Sequence, residues 1–346
     1  MRGKGTSRSI RYDKKADGRF RGVTDRIPRS PVGGAEPDEQ SNTQRRLTGR
    51  IEYVLMGIST TSILSGWDPD DYLGLDDDFS VIDSLGSHHE YSNMATTFLL
   101  FDLNYLLNDT TSIYLGSPFF DDDREGLTAG VQKLFSDYSL LDASLFFGAD
   151  ELWEDPYLLG EKRKNTLAAY AGCDVDYDNI MDSGWYINYM FQFHMLEEDV
   201  SGDAEKDLRR DGPTHTFKAG YHHYLTERLD MVLTPSLIFV RDNRKGDAYA
   251  NTGWGGQVNF TMDGEKNAFT FIGIAQAARF DGIHPYFGKT REDMAYTVEC
   301  YYTRRRLWNR GWYLRVGAGA YHLRSNIGFF DETCILYGIS LGYAFE

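Results

Sequence analysis

Nowhere in its 346 residues does the chain hold a run of 18 or more apolar residues. Helices that cross a bilayer need about 20 of them, so a transmembrane helix bundle is excluded. There are three cysteines, Cys173, Cys300 and Cys334, with no C-x-x-C and no metal-ligand spacing. A disulfide scaffold and a zinc site are therefore not expected. Cations are the scarcer charge, 36 against 52 acidic residues, and a net charge of −16 argues against a nucleic-acid partner. Neither S-x-x-K nor G-x-S-x-G occurs, so no serine sits in a recognisable nucleophile setting. The start of the chain is basic, but no apolar h-region follows it, so residues 1–47 do not read as a secretory signal. They carry twelve Lys and Arg, six Asp and Glu and three of the nine prolines, which predicts a disordered basic tail.

Aromatics are plentiful, 14% of the chain, with 23 Tyr and 21 Phe. The last dozen residues read C-I-L-Y-G-I-S-L-G-Y-A-F. Ile335, Tyr337, Ile339, Leu341, Tyr343 and Phe345 share one face, and Leu336, Gly338, Ser340, Gly342 and Ala344 share the other. That is a strand with a period of two, large and apolar on one side and small on the other. A barrel closing on its last strand needs such a segment, one face to lipid and one to a lumen. Mean hydropathy is only −0.47, but barrels escape hydropathy tests because half of each strand faces a polar interior.

Alternating runs recur along the chain, near 49–59, 96–106, 110–117, 126–135, 138–148, 164–177, 182–196, 214–225, 228–241, 248–262, 266–279, 293–304, 311–324 and 334–345. At 185–195, Trp185, Ile187, Tyr189, Phe191, Phe193 and Met195 alternate with Tyr186, Asn188, Met190, Gln192 and His194. The links between runs alternate too. Those at 107–109, 136–137, 178–181, 226–227, 263–265 and 305–310 are short. Those at 60–95, 118–125, 149–163, 197–213, 242–247, 280–292 and 325–333 are mostly longer and charged. Outer-membrane barrels have short periplasmic turns and longer outer loops. The pattern predicts an all-β, antiparallel, up-and-down transmembrane barrel of about fourteen strands over 48–346, behind the tail at 1–47.

The long links hold the most distinctive stretches: F-F-D-D-D-R-E-G (119–126), E-L-W-E-D-P-Y-L-L-G (151–160), R-D-N-R-K-G-D-A (241–248), F-D-G-I-H-P-Y-F-G-K-T-R-E-D (280–293) and S-N-I-G-F-F-D-E (325–332). In W-E-D-P-Y and P-x-F-G-K-T-R-E-D the chain resembles an uncharacterised family of Gram-negative outer-membrane β-barrels, catalogued as a domain of unknown function. The resemblance runs from about Gly49 to Phe345. It implies an exported barrel and no assigned activity. The family carries a cleavable signal where this chain has its basic tail, and Glu346 follows the terminal aromatic.

Opposite charges interleave in these links. The pore or constriction candidates are Arg124, Glu154, Asp155, Arg163, Arg241, Arg244, Asp247, Lys289, Arg291, Asp293, Asp331 and Glu332. They read either as a rim network that folds the loops or as a filter with cations set across from anions. Counting back from Ala295, Thr297 and Glu299 puts Lys289, Arg291 and Asp293 on the lumen side. Arg291 is then expected to pair with Asp331 or Glu332 and with Asp247, tying three loops together. No catalytic set emerges: Glu154 and Asp155 are adjacent and point apart, and His222 and His223 would lie on opposite faces. The acidic stretches 68–71, 76–78 and 121–123, and the pair His88-His89, lack the spacing of a calcium or zinc site. No cofactor is called for.

Arg315, Glu299, Lys218, Gln192, His194, Asn188, Asp102 and Asp142 fall on lumen faces and predict a wet interior. About fourteen strands lies between filled eight-stranded barrels and open 16–18-stranded porins, so a narrow pore is expected. The expected function is porin-like passage of small polar solutes. The alternatives are an outer-membrane enzyme acting on lipid or lipopolysaccharide, and a structural or adhesive barrel with no open path. The expected surroundings are outer-membrane lipid and lipopolysaccharide, and a homo-oligomer is compatible with the class.

Overall fold

A computed structural model describes residues 46–64, 80–86, 91–117, 126–226, 230–308 and 310–345. The tail up to residue 45, the acidic stretches 68–71, 76–78 and 121–123, His88-His89, Arg124 and Glu346 lie outside the described residues.

Fourteen antiparallel strands follow one another in a meander. They are β1 (Leu47–Thr60), β2 (Ser92–Asn108), β3 (Thr111–Gly116), β4 (Leu127–Leu134), β5 (Leu140–Trp153), β6 (Asn165–Asp178), β7 (Trp185–Leu196), β8 (Gly212–Tyr221, continued by His223–Tyr224), β9 (Met231–Asp242), β10 (Asn251–Asp263), β11 (Asn267–His284), β12 (Lys289–Arg305), β13 (Trp312–Ser325) and β14 (Glu332–Phe345). Each pairs with its neighbour in sequence, and β1 pairs with β14 from Gly49↔Phe345 to Thr60↔Cys334. The ring is thereby closed, as a barrel in lipid requires.

Alternation decides which side chains go where. Along β1, Ile51, Tyr53 and Leu55 are exposed while Glu52, Val54 and Met56 are buried. The outward set is apolar around the ring: Leu237 is 74% exposed, Trp254 69% and Leu145 68%. So much bare apolar surface on a monomer marks a face made for lipid. Outward-phase charges such as Lys133, Glu151, Arg279, Arg304 and Arg324 sit near strand ends. Trp185, Tyr221, Trp312 and Tyr343 gather at the rim of the short turns, where aromatic girdles belong. Inward aromatics lie across glycines of the next strand. A Cβ on Gly148 would stand 2.1 Å from the Tyr170 hydroxyl, and one on Gly342 2.1 Å from the Tyr313 ring. Glycine there lets a large ring lie along the wall rather than across the lumen.

Even strand number puts both ends of the barrel on the side of the short turns, the periplasmic side. An even-numbered, single-chain, closed barrel with a lipid belt is an outer-membrane protein, and that is what this chain is. One expectation is corrected. Residues 280–292 are not a loop: β11 and β12 run on past a register shift between Arg279 and Ile283, and only Pro285 to Gly288 turn. Inward-facing His284 and Arg291 continue the alternation, and Gly288, at φ 63°, makes the turn. Strand β5 likewise reaches Trp153, so the outer link there begins later than expected.

The lipid belt predicts its own sensitivity. Leu237→Arg, near the middle of β9, is expected to cost about 2–4 kcal/mol in folding free energy. Ser236→Arg beside it, facing the lumen, should cost clearly less. Urea titration of barrels refolded into vesicles measures both.

Candidate functional site

The outer links come from all round the rim, yet their apolar residues meet in one cluster. Ile63 and Ile82 come from the β1–β2 link, Tyr157 from β5–β6, Leu208 from β7–β8, Ala248 from β9–β10, and Ile327, Phe329 and Phe330 from β13–β14. Phe287, at the β11–β12 turn, packs against them. Links rooted around a ring can share one core only by reaching across the opening. The outer mouth is therefore roofed.

Three buried arginines hold the roof. Arg163, 2% exposed, donates from one terminal nitrogen to the carbonyls of Ile63 (2.9 Å) and Pro156 (3.2 Å) and lies 4.4 Å above the Trp153 ring. Arg210 donates to the carbonyls of Trp153 (2.8 Å) and Glu154 (2.9 Å) and grips Asp199 through Nε and Nη2 at 3.0 and 2.7 Å. Arg291 pairs with Asp293 at 2.6 Å and lies over the rings of Phe330 (3.7 Å) and Phe280 (4.4 Å). A guanidinium can satisfy several carbonyls and stack at once, which suits it to pinning loops that have little regular structure.

At the centre is His284, 1% exposed. Its Nε2 is 2.9 Å from the Tyr157 hydroxyl, which in turn is 2.7 Å from that of Tyr249. The rings of Tyr157, Phe287 and Phe330 surround it at 4.8 to 5.4 Å. Burial, with Arg291 adding repulsion, pulls the imidazole down to about 4. Burial also pushes the Tyr157 hydroxyl well above its ordinary range.

The other candidates take separate places. Asp155 accepts from the backbone of Tyr157 and shapes the W-E-D-P-Y turn. Glu154, pushed up by burial and then by the carboxyl of Glu198 beside it, lies at the edge of the same link. Arg241 makes a fork with Asp281 on the outer rim at 2.7 and 3.1 Å, and Arg244 pairs with Asp242 at 2.8 Å. Lys289 and Asp247 are exposed. Arg291 does face inward, but the expected partners are wrong. Its carboxylate is Asp293, two residues along the same strand face, which needs no loop to come to it. Asp331 instead accepts from the backbone of Ser325, and Glu332 takes a hydrogen bond from Ser62. Three links still converge on the roof there, through aromatic rings rather than ion pairs. Arg210, Asp199, Tyr157, His284, Phe329 and Phe330 were missed as a group. The aromatics of W-E-D-P-Y and G-F-F, frequent for loops, were the available signal.

Below the roof the lumen wall is charged. Tyr313 and Ser340 donate to Glu52, at 2.8 Å for Tyr313, and Arg315 lies 3.8 Å away. These residues come from β13, β14 and β1, so the set stitches the seam where the barrel closes. Four strands round the ring from Glu52, Asp142 on β5 takes hydrogen bonds from Tyr114 (2.6 Å) and Gln132 (2.9 Å), and on β6 Asp174 takes one from Asn188 (2.7 Å). At the periplasmic end, buried His222 bridges Asp178 (3.1 Å) and Thr234 (2.9 Å), while His223 is exposed. Among the described residues no three His, Cys, Asp or Glu side chains are grouped to hold a metal ion.

A model of the family described as "Protein of unknown function (DUF2860)" matches residues 67–344. No curated protein matches the chain. Among solved structures, the chain is similar to a BenF-like porin from Pseudomonas fluorescens Pf-5, at 10% identity over 87% of this chain and 99% of that one, with a TM-score of 0.35. It is similar to the outer membrane channel DcaP of Acinetobacter baumannii at 11% identity, over 86% and 97%, with a TM-score of 0.37. A Pseudomonas aeruginosa FadL homologue matches at 10% identity, over 87% and 91%, with a TM-score of 0.40.

Arg163→Ala tests the roof. It leaves the Ile63 and Pro156 carbonyls without this donor, at an expected cost of about 2–4 kcal/mol to the roof alone. Hydrogen exchange of the 154–163 amides should accelerate while β10–β12 amides keep their protection.

Proposed function

From a chain that belongs to the DUF2860 family of proteins of unknown function, and so inherits no activity from it, we propose a porin-like barrel that passes small polar solutes. The observation that carries this reading is the lumen wall. Its inward positions between the rims hold Glu52, Asp102, Asp142, Asp174, Asp176 and Glu299 against Arg50, Lys218 and Arg315. A wall that only filled space would not need so many ionised groups, each costly to bury without water. Carboxylates outnumber cations there, so solutes and ions of positive charge are favoured. The roof and the narrow width supported by fourteen strands suit selective rather than bulk passage. Lipid of the outer membrane surrounds the belt, and lipopolysaccharide is the expected neighbour of the outer rim. The reading does not depend on self-association.

The roof also favours a second reading, a structural barrel with no open path. Planar-bilayer recording decides between them. The expected result is rare conductance steps for the wild type at neutral pH, frequent steps for Arg163→Ala, and a reversal potential showing cation preference. Replacing Asp174 and Asp176 together by Asn should reduce that preference severalfold without removing the steps. Silence from both the wild type and Arg163→Ala would leave the structural reading standing.

A further inference from the structure

The roof has a feature that a permanent plug does not require. Its centre is a titratable ring rather than another apolar one. Resting on the porin-like reading, we propose that His284 makes the roof a proton-operated gate, closed when the imidazole is neutral and released when it is protonated.

The geometry carries this. Neutral imidazole needs one donor and one acceptor, and the Tyr157 hydroxyl satisfies Nε2 in either role. Among the described residues Nδ1 has no hydrogen-bond partner, although it is buried. Imidazolium must carry N–H on both nitrogens, so protonation buries an unpaired charged donor. The ionisable groups facing the ring are Tyr157, Tyr249 and Tyr286, with Arg291 from β12. The tyrosines are neutral in acid, and Arg291 is a like charge, itself held by Asp293. None offers the new cation a carboxylate.

The ring also sits where its charge matters most. His284 ends β11, and it touches Tyr157 of the β5–β6 link and Phe330 of the β13–β14 link. The Tyr157 hydroxyl reaches Tyr249 of the β9–β10 link. One protonation therefore bears on four links at once. Releasing them gives the imidazolium water on both nitrogens.

The direction in pH follows. In the closed roof His284 is held down at about 4, and in an open roof it returns to its ordinary value near 6.5. The contribution to closure is complete above that ordinary value. It falls as pH drops from about 6.5 toward 4, and the full difference is a shift of at most about 300-fold in the open-to-closed ratio.

The test is single-channel recording of the wild type, His284→Phe and His284→Gln between pH 7 and pH 4. Hydrogen exchange of the 154–163 amides on the same vesicles reports the roof without needing a pore. Phe keeps the ring and cannot be protonated, and Gln keeps a polar partner for Tyr157. The expected result is that open probability and roof exchange of the wild type both rise through the window, while both variants stay near their neutral-pH values. Roof exchange that rises with acid in the wild type alone, with no conductance, supports the gate and counts against the porin reading. A conducting wild type whose open probability and roof exchange do not change with pH overturns the gate and leaves the porin reading intact. Acid opening in both variants equal to that of the wild type also overturns it.

Discussion

Every backbone N–H and C=O that lies in the hydrocarbon layer has to be paired within the protein, because lipid offers no partner. A meander satisfies this only if its first and last strands find each other. Here they do, along β1 from Gly49 to Thr60. Closure then fixes the phase of every other strand, since a slip of one residue would turn Glu52 and Arg315 to lipid and Ile51 and Val316 to the lumen. The Glu52 cluster adds to this constraint. A carboxylate 2% exposed, with Tyr313, Ser340 and Arg315 around it, has its partners only in the observed register. Such a buried set adds little net stability, and its effect is to favour this one register.

Above the membrane the constraint changes. Water satisfies the loop backbone, so the links are free to fold on their own terms. They do so with large rings and a few buried guanidiniums. Arg163 donates to two main-chain carbonyls, and Arg210 divides its hydrogen bonds between two carbonyls and the Asp199 carboxylate. Such contacts hold irregular chain in place in a way that a surface ion pair does not, since exposed pairs contribute about 0–1 kcal/mol. The rim pairs Arg241–Asp281 and Arg279–Glu292 are of that weaker kind. The roof therefore depends on packing and on a few buried polar groups. A change of charge at one of them has leverage that a change on the rim lacks.

What could be read from the residues divides along the same line. The run of about fourteen strands was legible, and so was the phase at 334–345 and at Ala295, Thr297 and Glu299, because charge on a lipid face is costly away from the strand ends. The parity of link lengths was legible for a similar reason. The extent of β11 and β12 was not, because D-G-I-H-P looks like a loop unless His284 is known to be an inward position. The partners of Arg291 were not legible either. Alternation gives the side a residue faces, not which of several carboxylates from other links arrives there. Nor could periodicity show that Tyr157, His284 and Phe330, far apart in the chain, share one core. Glu52 and the row Asp174, Asp176 and Asp178 could have been found by extending the same period-of-two reading through β1 and β6.

The central claim is that solutes cross the lumen and that the folded outer links decide when. Ile82 and Leu159 are paired by an isolated bridge within the roof, so cysteines placed at these two positions can tie it shut. With Cys173, Cys300 and Cys334 replaced by alanine, conductance of the Ile82→Cys/Leu159→Cys chain is measured at acid pH before and after reduction. The account predicts a channel that is silent when oxidised and conducts once reduced. Equal conductance in the two states would show that the roof does not control the path, and would contradict it.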